Sequence, residues 1–373
     1  MARRRVLTAI ALLAGVLTIP GGGANAASCS WSVVPTAALD PGLNAQLFSV
    51  SAVSTSDIWA VGRTYQYIVT NGLAQHWDGS SWSVVPTPSP NGQETLFDVD
   101  VVASDAVWAV GASSTTSGDV PLVERWDGTQ WAVVPGPTGS FGFTTVSALS
   151  DTNVWAGGYQ ALPDDEFVAV LEHWNGSGWT RVPLGTILPH ASSFIYGIDA
   201  RAANDVWAVG SAGANPLILH WNGRTWRTLP TAGPPGSSSG LSGIDARTAT
   251  DAWAVGDAFS PAAGTTSTLA FRWNGVAWRR VSTPSPGTDS SFGGVSAVGR
   301  DDVWAVGGTG GYPFTTLTEH WNGTRWSVVD SADAGDTSTL ADVAAIGRLD
   351  VWAVGESVNN SSALQSALAE HRC

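Results

Sequence analysis

The hexapeptide Asp302-Val303-Trp304-Ala305-Val306-Gly307 returns unchanged around Trp207 and Trp352, and with one or two changes around Trp59, Trp108, Trp155 and Trp253. The seven copies stand 46 to 52 residues apart, and self-similarity at that period marks a propeller or a solenoid. After each copy come a variable stretch, an apolar run ending in His-Trp or Arg-Trp, an Asp-Gly or Asn-Gly step, and a further Trp opening a run like Ser-Val-Val-Pro. In the second repeat this predicts strands over residues 96–102, 107–111, 122–126 and 131–135, with Asp127-Gly128 as the hairpin turn between the last two. The unit is a four-stranded antiparallel meander.

Composition agrees with an all-β chain. Among 373 residues there are 20 Trp, 43 Gly, one Met and no Lys; 43% are hydrophobic and 13% charged. That is too apolar for disorder and too poor in long unbranched helix formers for a helical protein.

Counting then tests closure. Seven units with three Trp apiece need one more than the 20 present, and the missing one is Arg372, in Leu368-Ala369-Glu370-His371-Arg372. The chain ends there, without a fourth strand for the last repeat. That strand stands at the other end, where Cys29-Ser30-Trp31-Ser32-Val33-Val34-Pro35 matches Ser80-Ser81-Trp82-Ser83-Val84-Val85-Pro86. The expected fold is an all-β, seven-bladed β-propeller with four antiparallel strands per blade, the last blade completed by the N-terminal strand, so that no long sheet edge stays free. Cys373 then takes the place of Asp78 and Cys29 that of Ser80, either side of a missing turn, and a disulfide is expected to replace it. A lipidated Cys29 after a degenerate lipobox is the rival reading; it lacks the usual Leu and leaves Cys373 unpaired.

Residues 1–5 form a basic n-region, 6–20 an apolar stretch, and Ala24-Asn25-Ala26 a small-residue cleavage site. This predicts a signal peptide over residues 1–26 and a propeller over 27–373, with export by the general or the twin-arginine route left open. The apolar stretch is shorter than the roughly 20 residues that span a bilayer. Loss of Arg3, Arg4 and Arg5 takes the formal charge from −14 to −17. Such a polyanion repels phosphate backbones and acidic lipid, so neither a nucleic-acid partner nor membrane insertion is expected. The bias to Ala, Gly and Arg without Lys points to a bacterial, secreted protein, acting as a monomer or within a larger secreted assembly.

A strand ending in Val-Gly, a variable stretch, an aromatic followed by Asp or Asn, and then Trp-x-x-Val-Pro resembles the kelch repeat over residues 29–373. The second glycine of the kelch pair is present only at Gly158 and Gly308. The resemblance implies a propeller; it extends to enzymes, lectins and protein-binding modules alike and does not choose a function.

The repeat residues read as framework. All 20 Trp lie at repeat positions, suited to packing blade on blade. His76, His173, His220, His320 and His371 share one repeat position, filled by Arg125 and Arg272 in the other blades. Spread around a ring, they form no metal site; only His190 is off the pattern. The Asp or Asn that opens the hexapeptide (Asp57, Asn153, Asp205, Asp251, Asp302, Asp350) is expected to accept backbone hydrogen bonds in the turn between strands one and two, and Arg201, Arg247, Arg300 and Arg348 recur in that turn.

Function is expected where the repeat breaks down. Loops 1–2 and 3–4 are short and alike. On the opposite face the 2–3 loops (residues 63–72, 112–120, 159–167, 257–268 and 308–316) and the Pro/Ser/Gly-rich 4–1 linkers are long and dissimilar. Tyr65, Tyr67, Tyr159 and Tyr312 fall there with Phe259 and Phe314, and Tyr196 opens an innermost strand on the same side. Tyr65, Tyr67, Tyr159, Tyr312 and Phe314 are the candidate ligand-binding residues. The loop acids Asp119, Asp164-Asp165-Glu166, Asp257 and Glu356 serve either calcium or solubility, and no spacing resembles a calcium loop.

No G-x-S-x-G, H-E-x-x-H or cofactor fingerprint is present, so no cofactor and no metal is expected. An enzyme reading rests on Asp165 or Glu166 with Asp119 or Asp257 as a carboxylate pair acting on carbohydrate. The preferred reading is a secreted, non-catalytic binding module with one composite site near the channel mouth or across neighbouring loops, for an extracellular glycan or protein. A purely structural envelope protein is the third class.

Overall fold

The computed structural model describes residues 29–163, 166–188, 192–332, 334–361 and 364–373. The signal segment, Asp164, Asp165 and His190 lie outside the described residues.

Seven four-stranded antiparallel sheets form the blades. The innermost strand of each blade touches those of its two neighbours, and contact between Asn44–Ser54 of blade 1 and Thr337–Gly347 of blade 7 closes the ring. Blade 7 takes its outermost strand, Trp31–Val33, from the N-terminus. Trp31, Ser32 and Val33 pair with Arg372, His371 and Glu370, the register in which Trp82, Ser83 and Val84 pair with Trp77, His76 and Gln75 in blade 1.

The hexapeptide is the second strand, sandwiched inside its own blade and between neighbouring blades. That explains an apolar run without alternation, buried on both faces. Its closing glycine is obligatory, because a Cβ on Gly62 would collide with the Gln46 carbonyl oxygen across the sheet, and the same collision recurs at Gly111, Gly210, Gly256, Gly307 and Gly355. Blade 3 departs from the pattern, with Gly157 in place of the valine, because Ile195 and Ile198 of blade 4 occupy that volume; a Cβ there would lie 2.7 Å from the Ile195 side chain.

Five of the seven hexapeptide tryptophans pack against two tryptophans of a neighbouring blade; Trp108 meets Trp174 and Trp304 meets Trp31. Trp59 lies 5.0 Å from Trp126 and 5.2 Å, edge to face, from Trp131. The repeat His stacks beneath: His76 is 4.6 Å from Trp59 and His220 4.0 Å from Trp207. Where the repeat substitutes, the contact survives in another form. Arg272 stands over Trp253 at 5.2 Å, and Arg372, the residue at the missing Trp position, lies 4.8 Å over Trp304.

Two expectations need correcting. The Asp that opens the hexapeptide does not cap the backbone turn; it fixes the repeat His or Arg, as in Asp57 with His76 at 2.8 Å, Asp302 with His320 at 2.7 Å and Asp251 with Arg272 at 2.8 Å. The capping role belongs to the Asp or Asn of the 3–4 hairpin: the Asp78 carboxylate accepts from the amides of Ser80 and Ser81 at 2.8 and 2.9 Å, while Gly79 turns the chain at φ +95°. Nor are most 2–3 connections long loops. In blade 1 the strands run to Gln66 and resume at Val69, leaving Tyr67-Ile68 as the tip, and in blade 2 they run to Thr115 and resume at Gly118. Polar, β-branched stretches that read as loops are strands here because each has a partner inside its own blade.

Candidate functional site at the channel mouth

Every innermost strand carries a β-bulge at the same place. In blade 1 Leu47 pairs with Gly62 and Ser49 with Val61, so Phe48 is the extra residue. The corresponding residues are Phe97, Thr144, Tyr196, Ser242, Gly293 and Ala341. A bulge re-aims its residue, and all seven line a central cavity of about 670 Å³. The framework repeats seven times; the ring of bulge residues does not. Phe48, Phe97 and Tyr196 bring aromatic rings to blades 1, 2 and 4, while Ser242, Gly293 and Ala341 keep blades 5 to 7 small.

The aromatic side is braced from the hairpin face. Phe48 packs 5.5 Å from Phe97, and the Arg63 guanidinium lies over both Phe48 and Tyr65, at 5.6 and 5.2 Å. Arg63 donates to Gln46 at 2.7 Å, and the amides of Gln46 and Gln365 both donate to Glu356, while the Tyr65 hydroxyl donates to Gln365. Burial, opposed by Arg63, pushes the Tyr65 hydroxyl up from its ordinary range. Across the mouth Tyr196 stacks on Phe194 at 5.7 Å, and Tyr159 packs on Phe194 and Phe167 at 5.1 and 5.7 Å.

Of the candidate residues, Tyr65 and Tyr159 are strand residues built into these two clusters, on opposite sides of the mouth. Tyr67 is a hairpin tip, 95% exposed, with φ +56°. Tyr312 is 76% exposed and its hydroxyl meets Asn360 at 3.3 Å. Phe314 is half-buried beside it, its carbonyl accepting from the Ser338 amide. No contact joins the five. Asp119 accepts from Ser114 at 2.6 Å and Glu356 is bound as above. Among the described residues no hydrogen bond links Asp119, Glu166 and Asp257, and no group of three or more His, Cys, Asp or Glu is placed to hold a metal. The Sγ atoms of Cys29 and Cys373 stand 2.6 Å apart.

The carboxylates that do converge were not read from the sequence. Asp98, Asp100, Asp199, Asp245 and Asp342 line the channel. An innermost strand is a sheet edge with unpaired amides, and side chains of the preceding blade cap them: Val50 and Val146 donate to Asp342 and Asp98 at 3.0 and 2.7 Å, Ala148 to Asp100 at 2.7 Å and Ala297 to Asp245 at 2.8 Å. Ser51, Ser147 and Ser296 do the same for Val101, Ala200 and Ala345. Burial pushes these carboxyls up, Asp98 and Asp245 to about 7 and Asp199 and Asp342 to about 6; Asp342 adds to the effect at Asp98, and Asp199 at Asp245. Ser49 bridges the first pair, donating to Asp98 at 2.6 Å and lying 3.0 Å from Asp342. Both oxygens of Asp98 and of Asp342 are engaged by the framework.

No family model matches the chain, and no curated protein sequence does. Solved structures do match. YCF48 from Cyanidioschyzon merolae superposes with a TM-score of 0.59 at 15% identity, over 92% of this chain and 99% of that one. YCF48 bound to a D1 peptide gives 0.58 at 14%, over 92% and 95%. The GH74 xyloglucanase from Xanthomonas campestris gives 0.58 at 13%, over 91% of this chain and 55% of that one. The chain shares their propeller fold. At these identities the likeness extends no further than fold.

Proposed function

We propose that this kelch-like propeller is a secreted, non-catalytic binding module that takes an extracellular glycan or protein segment at the channel mouth. The observation that carries the reading is the ring of bulge residues, which in the seven copies of the repeat are Phe, Phe, Thr, Tyr, Ser, Gly and Ala and all line the channel. Aromatic rings on one arc and small residues on the other make an asymmetric receptor, suited to one ligand in one orientation. Tyr67 and Ile68 project beside it as an exposed tip. Catalysis by carboxylates is disfavoured because the acids that converge, Asp98 and Asp342, are consumed in capping backbone amides. Similar propellers include one solved with a peptide bound and one that is a xyloglucanase, so the fold leaves binding and catalysis equally open and the reading rests on the site.

The test is capture on a glycan array that includes bacterial wall polysaccharides, with and without calcium, beside pull-down from culture supernatant. A ligand lost on Phe48→Ala or Tyr196→Ala supports the reading. A ligand retained by both variants removes the channel mouth from it.

A further inference from the structure

On the outer rim between blades 3 and 4, away from the channel, lies a second cavity of about 660 Å³. That size falls within the roughly 300–1,000 Å³ of small-molecule sites. It exists because this junction is built differently. The linker out of blade 3 coils into a single 3-10 turn, Leu184–Thr186, whose Leu184 is buried in the blade 3–4 core and whose Thr186 and Ile187 form one lip. Trp155 is 5% exposed against 1–2% for the other hexapeptide tryptophans.

The lining is chemically unlike the rest of the molecule. Trp155, Trp221 and Trp226 supply indole surface, as the tryptophans do at the other blade junctions; what differs is the polar lining. Blade 3 is the one His-bearing blade in which the first residue of the hexapeptide is Asn: His173 rests on the Asn153 amide oxygen at 2.8 Å, where its four counterparts rest on Asp carboxylates. Burial holds the His173 imidazole below its ordinary range. Among the described residues the Asn153 amide NH₂, the Thr180 and Thr225 hydroxyls and the Arg224 guanidinium make no side-chain hydrogen bond, and no Asp or Glu lines the cavity. In a chain of net charge −14 this is a donor-rich, acid-free groove floored with indole.

We infer that this groove is a ligand site distinct from the channel mouth and that it takes an acidic sugar, a pyranose bearing a carboxylate. The ring face lies on the half-buried Trp221, and Arg224 and the Asn153 amide meet the carboxylate. Unengaged donors select an acceptor-rich ligand, and the missing carboxylate at position 153 removes the repulsion that any other His-bearing blade would impose.

The test titrates the full chain by calorimetry with a disaccharide containing glucuronic acid and with its neutral glucose counterpart. The acidic sugar is expected to bind at least about tenfold more tightly, and Arg224→Ala to cost about tenfold. Asn153→Asp, a residue the fold already accepts in five other blades, is expected to cost as much without altering the circular dichroism. Phe48→Ala, at the channel mouth, is expected to leave this binding unchanged, so the two sites fail separately. Equal affinity for the two sugars, no binding of the acidic one, or an Asn153→Asp variant that binds it undiminished would overturn the assignment.

Discussion

The Val50 amide of blade 1 donates to the Asp342 carboxylate of blade 7 at 3.0 Å, across the seam where the last blade meets the first. The bond belongs to a belt of Asp and Ser side chains that cap inner-strand amides around the channel. The belt has a pH signature. In the folded protein Asp98 and Asp245 titrate near 7 and Asp199 and Asp342 near 6, against 3.8 for the free side chain. Between those limits the folded state holds more protons than the unfolded one, so stability falls as pH rises from about 4 to 7, and the buried Glu319 and Glu124, pushed up to about 7 and about 8, carry the fall on to about 8. Carboxyls held low, such as Glu94 by Ser89 and the Asn91 amide despite its burial, act in the opposite sense and only in more acid solution. The melting temperature is therefore expected to be highest near pH 5 and several degrees lower at pH 8. Asp98→Asn with Asp245→Asn, which keeps an acceptor at each position, should flatten the profile; an unchanged profile would place the titration elsewhere.

The ends of the chain meet at Cys29 and Cys373, and one disulfide is expected between them in the mature protein. Mass spectrometry of non-reduced peptides checks this directly, and two free thiols or a lipid on Cys29 would refute it. Reduction, or Cys29→Ser, is expected to cost about 2–5 kcal/mol, because the bridge holds the strand that completes blade 7.

Much of this architecture is legible in the sequence because buried tryptophans and collision-bound glycines cannot drift, so the period survives and the missing Trp and missing strand can be counted. The channel mouth is not, for a local reason. A bulge shifts the strand by one residue, and nothing in Leu47-Phe48-Ser49 says that Phe48 faces the lumen until the pairing with Gly62 and Val61 is known. The Asp belt escapes as well, since an acid alternating in a strand reads as a solvated face, whereas here that face meets the unpaired amides of the next blade. Tyr65 and Tyr159 read as loop residues and are strand residues, because strands of Thr, Ser, Tyr and Gly carry no apolar alternation.

Arg372 replaces a tryptophan and lies over Trp304, so the two contacts can be weighed against each other. Trp304→Ala is expected to cost about 3–5 kcal/mol, the usual range for an aromatic removed from a core. Arg372→Ala should cost about 1–2 kcal/mol, the size of a partly desolvated cation–π contact. Chemical denaturation measures both, and equal losses would mean that Arg372 does more than cover the indole.

Tyr67 tests whether the hairpin tip is shaped for binding. It holds φ +56°, a left-handed conformation that costs a residue with a Cβ about 1–2 kcal/mol, and it gains no packing in return, being 95% exposed. Tyr67→Gly is therefore expected to stabilise the protein by up to about 1 kcal/mol. Tyr159→Ala, which strips a ring from Phe167 and Phe194, should instead destabilise it by about 3 kcal/mol. If Tyr67→Gly raises the melting temperature and weakens ligand capture, the strained tyrosine is kept for its contact with the ligand. If capture is unaffected, the tip is no part of the site, and the aromatic arc of Phe48, Phe97 and Tyr196 must supply the recognition alone.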